Sequence, residues 1–511
     1  MKTFFWLLIV CLAVNFGNAR AVAADGLRFE PARFDPERRL ASPLQMAVQI
    51  RSLNGFREGD DFSFADALAM GKALRKEWPS PVTFDEKQLA ANGIRVIKSR
   101  HLLLCTDVPP SPEVDELPAV FDLAVVEYCR YFGTKLQDYD DWLIQGFLIA
   151  DVKKFQTAGL IGPYPTKLNG FSIDRRLWVK DQTSAYLRRH LLIHEGVHGF
   201  MNWTFGTCGP PWYMEAVAEY LGTHTWQNGK LTLGVMPENR EAFPSWGRID
   251  LLKKSVRENK IFSLDKMMRI SADEIVTPAD YAWVWALGTL LDNHPRYQNV
   301  FRAMPRLLTF PDFTNRFYLQ LAKQWGKLQL DWLDTVANIE YDYDMQRTVI
   351  DAPPDRLTTS PVTSNNTALN AVTFEVDAAR GWQCGGVTVQ SGKTYRITAS
   401  GRYQLAKEPK IWWSEPNGVT VRYHHGKPLG ILMAGVIPEE LFSGRNDVTA
   451  NDVPFFAPLT VGTETTVTLD KNGAFGKSGT LWFRINDSAA ELWDNSGTCR
   501  VTVVEVQPDV H

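Results

Sequence analysis

Three of the chain's nine histidines, His190, His194 and His198, fall within nine residues in the stretch SAYLRRHLLIHEGVHGF. Their four-residue interval lies close to the 3.6-residue turn of an α-helix, which would stack the three imidazoles along one face. Thr183 or Ser184 is available as an N-cap, no proline interrupts the stretch, and apolar residues recur at helical spacing, so a helix is predicted over residues 184–200. On such a helix His194 and His198 can share one cation, with Glu195 beside them. His190, one turn further back, is assigned a structural or supporting role. Gly196 lies inside the helix, where glycine costs about 1 kcal/mol relative to alanine.

Two histidines leave a catalytic metal ion one ligand short, because catalytic zinc normally keeps three protein ligands and one open position. The segment PPWYMEAVAEY, residues 210–220, supplies the third. Proline suits the first position of a helix, and the 17 residues between His198 and Glu215 allow the first helix to end, turn through Gly206 and Gly209, and return antiparallel. Glu215 is then the third ligand. Glu219, one turn later, faces the same way and can accept the second ring N–H of His194, fixing its tautomer. The HExxH spacing serves a definite chemistry: zinc lowers the pKa of water to about 7, and a neighbouring carboxylate, here Glu195, takes the proton and returns it to the leaving group.

HEGVH followed by PPWYMEAVAEY resembles the gluzincins, the thermolysin-like metallopeptidases, and in particular the peptidase MA-like group, whose second motif reads approximately P-x-W-x-x-E-G-x-A-E-Y. The likeness extends from about Arg95 to Asp344. It implies that His194, His198 and Glu215 bind zinc and that Glu195 is the general base. Ala216 departs from the glycine usual in that motif. The resemblance also implies an oxyanion donor, a Tyr or His in the helical region, for which Tyr281 is the first choice and His224 and His294 follow.

Composition narrows the setting. With 55 basic and 58 acidic residues the formal charge is −3, which offers no electrostatic grip on nucleic acid. Lys2, the apolar run from Phe4 to Val14 and the small residues ending at Ala23 follow the order of a cleavable export signal over residues 1–23, too short to span a bilayer. Loss of Lys2 and Arg20 with that segment gives 53 − 58 = −5 for the remainder. A secreted or periplasmic location, with no membrane span after signal removal, is therefore expected.

Along the chain, an N-terminal region covers residues 24–94, with a helix over 64–78 that Pro79 stops. The metallopeptidase-like domain covers 95–350. It opens with a strand pair at Ile94 to Ile97 and Leu102 to Leu104, a helix over 119–132, a strand over 142–150, a helix over 152–158 and a strand over 171–179, and is mainly helical from 183 to 344. Residues 351–370 read as a linker. Short alternating strands over 371–508, separated by Gly, Asn and Asp turns, predict a β-sandwich. Cys384 and Cys499, in what read as its first and last strands, are expected to pair in an oxidising compartment.

The motifs Trp382-Gln383-Cys384-Gly385-Gly386-Val387, Asn486-Asp487-Ser488 and Asp494-Asn495-Ser496-Gly497 resemble the galactose-binding-like sandwich of the PA-I galactophilic lectin family over residues 372–506. The resemblance implies calcium held by Asp487, Asp494 and Asn495, with Asp494 in place of that family's asparagine, and a carbohydrate ligand. His424 or His425 is a candidate ligand contact, and Trp412 and Trp413 are either core or an aromatic platform. The expectation is a multidomain α+β protein: a gluzincin-type mixed α/β and helical catalytic domain followed by a β-sandwich. Its function is read as secreted zinc-dependent peptide-bond hydrolysis on a peptide or protein substrate, with a C-terminal ligand- or carbohydrate-binding module. The other reading is a non-catalytic carbohydrate-binding protein that uses the gluzincin domain as a scaffold.

Overall fold

A computed structural model describes residues 62–75, 83–162, 168–350, 371–442, 447–469 and 478–506. The export signal over 1–23 and the linker over 351–370 lie outside the described residues. The chain is a mixture of helix and sheet ending in a sandwich-like β region.

Helix α1 (Phe64–Leu74), capped by Ser63, precedes a five-stranded sheet of β1 (Arg95–Lys98), β2 (Leu102–Thr106), β3 (Ile144–Ile149), β4 (Gly170–Ile173) and β5 (Arg176–Lys180). The order is β1-β2-β3-β5-β4. The central pairs β2·β3 and β3·β5 are parallel, and the two edges are antiparallel. The apolar run IQGFLI of β3 is buried at every residue, as a strand covered on both faces requires. The single strand expected over 171–179 is a hairpin: Asp174 adopts φ 54°, a left-handed conformation that Asp tolerates, and folds β4 back onto β5. Among the described residues, β4 is thus the last strand in the sheet order.

Helix α2 (Leu117–Phe132) covers the sheet and packs on α3 (Ala185–Phe205), which contains the histidines. Ser184 is the cap of α3: its side-chain oxygen accepts from the N–H of Leu187 at 3.3 Å. Gly206, at φ 78°, ends the helix. Proline-initiated α4 (Pro211–Gly222) then packs against α3 and against a later helix, and a hairpin of β6 (His224–Gln227) and β7 (Lys230–Leu233) follows. The region is mainly helical as expected, and this hairpin, which was not anticipated, interrupts it. Asn228 and Gly229 both take positive φ, the two-residue turn that favours Asn-Gly. Helices α5 (Arg248–Arg257), α6 (Pro278–Asn293) and α7 (Trp325–Asn338) complete the helical layer.

The C-terminal strands are β8 (Val372–Asp377), β9 (Gln383–Val389), β10 (Thr394–Ser400), β11 (Tyr403–Ala406), β12 (Trp412–Ser414), β13 (Asn417–His424), β14 (Lys427–Ile437), β15 (Leu459–Thr460), β16 (Glu464–Thr468), β17 (Gly479–Ile485) and β18 (Thr498–Val506). Two sheets, β16-β10-β18-β8 and β13-β14-β17-β9 with β15 joined to β14, enclose a core that includes Val376, Val387, Ile397, Leu432, Phe483 and Val501. The opposite face of the second sheet is apolar too. Trp382, Ile431, Met433 and Trp482 join one continuous core with the helical layer, and Phe442 stacks on Trp482.

That two-faced sheet explains why no disulfide links Cys384 to Cys499. Cys384 lies in β9, the second strand of the region, and alternates with the inward Val387 and Val389, so it faces the helical layer. Cys499 in β18 faces the sandwich interior. Strand alternation sends the two thiols into different cores, which corrects the expected pairing. Burial pushes the Cys499 thiol up to about 12.

Candidate metal centre

His194, His198 and Glu215 are brought together by the α3–α4 pair and are all buried. The Nε2 atoms of the two histidines are 3.1 Å apart, and Glu215 Oε2 lies 3.2 Å from that of His194 and 3.7 Å from that of His198. A tetrahedral ion bonded at about 2.0–2.1 Å places its ligand atoms about 3.3 Å apart. The observed triangle fits that requirement. Glu215 Oε2 and Glu195 Oε2 are buried without a hydrogen-bond partner, as expected of oxygens arranged for an ion and for a reacting group.

The electrostatics follow from enclosure. Burial would raise the Glu215 carboxyl, but the facing His198 and His194 imidazoles prevail and hold it at about 2. Glu195 lacks such a direct partner, and burial pushes it up to about 7 despite His194 and His198 nearby. Burial opposes charge on His194, but its contacts with Glu215 and Glu219 outweigh it and raise its pKa.

Glu219 takes the supporting place expected of it, with Oε1 3.2 Å from His194 Nδ1. The structure adds two partners. His190 Nε2 lies 3.3 Å from the same oxygen while its Nδ1 meets the carbonyl of Gly222 at 2.8 Å, and Arg248 donates from Nε to Glu219 Oε2 at 3.0 Å. Among the described residues, His190, His194 and Glu219 form a second group able to hold a metal ion, next to His194, His198 and Glu215. Nothing in the local sequence marked Arg248, which arrives from α5.

The glycine at position 196 has a packing cause, whereas nothing in the structure explains alanine at 216. A Cβ on Gly196 would lie 2.6 Å from the Phe121 ring and 2.8 Å from the Tyr128 hydroxyl, so glycine lets α2 seat against α3. At Ala216, the close approach is made from the other side: a Cβ on Gly288 of α6 would lie 2.3 Å from the Ala216 carbonyl oxygen. Gly170, at the start of edge strand β4, faces Glu195, and a Cβ there would lie 2.7 Å from Glu195 Oε1.

Of the three oxyanion candidates, Tyr281 borders the centre, its ring 6.0 Å from that of His194. Burial, then Glu215 and Glu195, raise its pKa. His224 instead stacks on Tyr186 at 4.5 Å and bonds the Gly222 carbonyl, and His294 stacks on Tyr297 near Asp331. Tyr186 and His224 help line a cavity of about 530 Å³, with Arg189, Trp226 and Glu241, at the N-terminal end of α3. Eight residues separate Tyr186 from His194, about 12 Å along the helix.

In the sandwich, Asp487 and Asn495 meet: Asn495 Nδ2 donates to Asp487 Oδ2 at 2.9 Å and to the Ala378 carbonyl at 3.0 Å. Asp494 Oδ2 accepts from the Lys407 N–H at 3.0 Å. Asp494 Oδ1 and Asn495 Oδ1 are buried with no hydrogen-bond partner, and burial raises Asp487 to about 6. His424 and His425 adjoin each other at the β13–β14 turn, where Asn486 bonds the His424 carbonyl. Trp412 packs partly buried against the sandwich core, whereas Trp413 is exposed beneath Arg402. Among the described residues, no helix is long and apolar enough to cross a membrane.

In comparisons with known proteins, the sequence matches no family model and no curated protein. A solved structure described as "EclA N-terminal domain; PllA-like lectin" aligns with 26% of this chain and 95% of its own length, at 20% identity and a TM-score of 0.18. At that score the overlay does not decide fold or ligand for this chain.

Proposed function

We propose that this chain is a secreted zinc-dependent peptidase of gluzincin type, acting on peptide bonds. The observation that supports this reading is the buried triangle of His194 Nε2, His198 Nε2 and Glu215 Oε2, with Glu195 beside it on the same helix. These three residues would hold the ion. Zinc, when bound, supplies Lewis-acid polarisation of water and of the scissile carbonyl.

The remaining roles belong to the chain. Glu195, with its carboxyl raised to about 7, is suited both to take a proton from water and to return it to the leaving amine near neutral pH. Its burial keeps competing water away from that carboxylate. An extended peptide is proposed to lie along β4, the edge strand of the described sheet, where Gly170 leaves the space beside Glu195 clear of a side chain. Tyr281, beside His194, is the proposed donor to the oxyanion. The cavity at Arg189 and Trp226 is assigned to substrate groups extending beyond the reacting bond.

Metal analysis combined with hydrolysis of a mixed peptide library, for wild type and Glu195→Gln, tests the reading. Stoichiometric zinc in both proteins with cleavage by wild type alone supports it. Zinc without cleavage by either protein removes the catalytic part.

A second reading concerns the sandwich and rests on the two buried oxygens without partners, Asp494 Oδ1 and Asn495 Oδ1. With Asp487 they form a set of hard oxygen ligands suited to calcium, and a carbohydrate is the proposed ligand there. On this reading alone the protein would bind glycans without hydrolysing peptides. A glycan array with and without calcium tests it, and absence of binding in both conditions removes it.

A further inference from the structure

Behind the candidate metal centre stands Arg248, the first residue of α5, which is buried although it is an arginine. Its guanidinium grips Glu219 at two points, Nε to Oε2 at 3.0 Å and Nη2 to Oε1 at 3.3 Å, and its Nη1 meets the Trp246 carbonyl at 3.5 Å. Glu219 Oε1, fixed in this way, is the atom that faces His194 Nδ1 at 3.2 Å and His190 Nε2 at 3.3 Å. The guanidinium carbon also lies 5.8 Å from the centroid of the Tyr281 ring, which borders His194 on its other side. One cation from a third helix therefore binds one neighbour of His194, Glu219, and lies near another, Tyr281.

We infer that Arg248 is a positioning residue for the metal centre, holding Glu219 so that it orients His194 toward the ion and supporting Tyr281 above it. This inference rests on the zinc reading. A glutamate carboxylate can turn about three side-chain bonds, and a single contact with an imidazole does not stop that rotation. A two-point guanidinium contact does, because a planar fork matches a planar carboxylate in one relative orientation. Three carboxylates, Glu195, Glu215 and Glu219, are buried around the site, and the fixed charge of Arg248 balances that of Glu219. Gly247, at φ 57° with open space around its missing Cβ, sets the direction in which the chain enters α5 and so where the guanidinium points.

The test uses the full-length chain. Zinc affinity is measured by chelator competition for wild type, Arg248→Met, Arg248→Lys, Glu219→Gln and the double variant Arg248→Met/Glu219→Gln, and visible absorption is recorded for each after cobalt(II) substitution. Arg248→Met is expected to weaken zinc binding about 10–100-fold, the range found when a partner of a ligating histidine is lost. The cobalt spectrum should change with it, Arg248→Lys should fall between, and the double variant should bind no more weakly than Glu219→Gln, because Arg248 acts through Glu219. Unchanged affinity and spectrum in Arg248→Met, or fully additive losses in the double variant, overturn the inference. Should Arg248→Met not fold, Arg248→Lys, which keeps the charge and loses the fork, decides by the same readouts. Wild type that binds no zinc overturns the reading of the centre itself, whereas zinc-binding wild type with an indifferent Arg248→Met removes only the inference.

Discussion

The candidate ligand set of the helical layer, His194, His198 and Glu215, and the polar residues Asp487, Asp494 and Asn495 of the sandwich are both buried, yet they are held by different means. In the first, every ligand stands on a helix: His194 and His198 share a face of α3 by their four-residue spacing, and α4 brings Glu215 back across them. In the second, Asp487, Asp494 and Asn495 stand between β17 and β18, on loop and a single 3₁₀ turn, and their mutual placement depends on bonds to distant residues such as Ala378 and Lys407. A helix fixes side-chain direction from within the segment, whereas a loop takes its direction from whatever it packs against.

The largest expected effect breaks the comparison at its catalytic end. Glu195→Gln should lower peptide hydrolysis by about 10²–10⁴-fold with zinc content unchanged, whereas Asp494→Ala should leave hydrolysis unaltered; peptide-library kinetics and metal analysis on both variants check this.

The next prediction concerns the joint between the two regions. Arg484 of β17 is buried there, donates to Asn338 at 2.8 Å and lies near Asp334 of α7, whose carboxyl burial raises to about 7 despite that cation. A folded pKa above the unfolded value means that the folded state holds a proton that the unfolded state has released between about pH 4 and 7. Stability from this group is therefore complete below about pH 4 and lost as pH rises through about 7, by on the order of 4 kcal/mol. Denaturant titrations across that range should show the decline in wild type and a flatter profile in Asp334→Asn. A matching profile in both would mean that the joint is not sensed through Asp334.

A smaller effect sharpens the loop side. Calcium at 100 times its dissociation constant should stabilise the protein by about 2.7 kcal/mol, read as a rise in melting temperature that Asp494→Ala abolishes. The smallest tests the helix side without touching a ligand. Gly196→Ala, although favourable to an isolated helix, should destabilise the protein by about 1–3 kcal/mol because its methyl meets Phe121 and Tyr128. A neutral or raised melting temperature would show that α2 can yield at that contact.

What could be read along the chain follows the same division. The Ser184 cap, the α3 and α4 helices, the place of Glu215 and the side of α4 on which Glu219 stands were legible, because each depends on residues a few positions apart. Tyr281 was legible as one of three candidates, and proximity to His194 separates it from His224 and His294. The β4–β5 and β6–β7 hairpins were missed although Asp174 and Asn228-Gly229 supplied their turns. Four-residue strands leave too little alternation to register as a period. The cysteine pairing failed for a different reason: sequence reports that Cys384 and Cys499 are in strands, but not that the sheet holding Cys384 has a second apolar face turned to the helical layer.

The sequence by itself determined a helix with stacked histidines, a returning glutamate helix and a strand-rich C-terminal region, since backbone periodicity and capping act over a turn or two. Only the tertiary structure decided that Arg248 reaches Glu219 from 29 residues away, that Gly196 exists to admit α2, that β4 is an edge beside Glu195, and that the sandwich shares its core with the helices. Those facts depend on which surfaces meet, and burial against a remote partner leaves no periodic trace in the segments that make it.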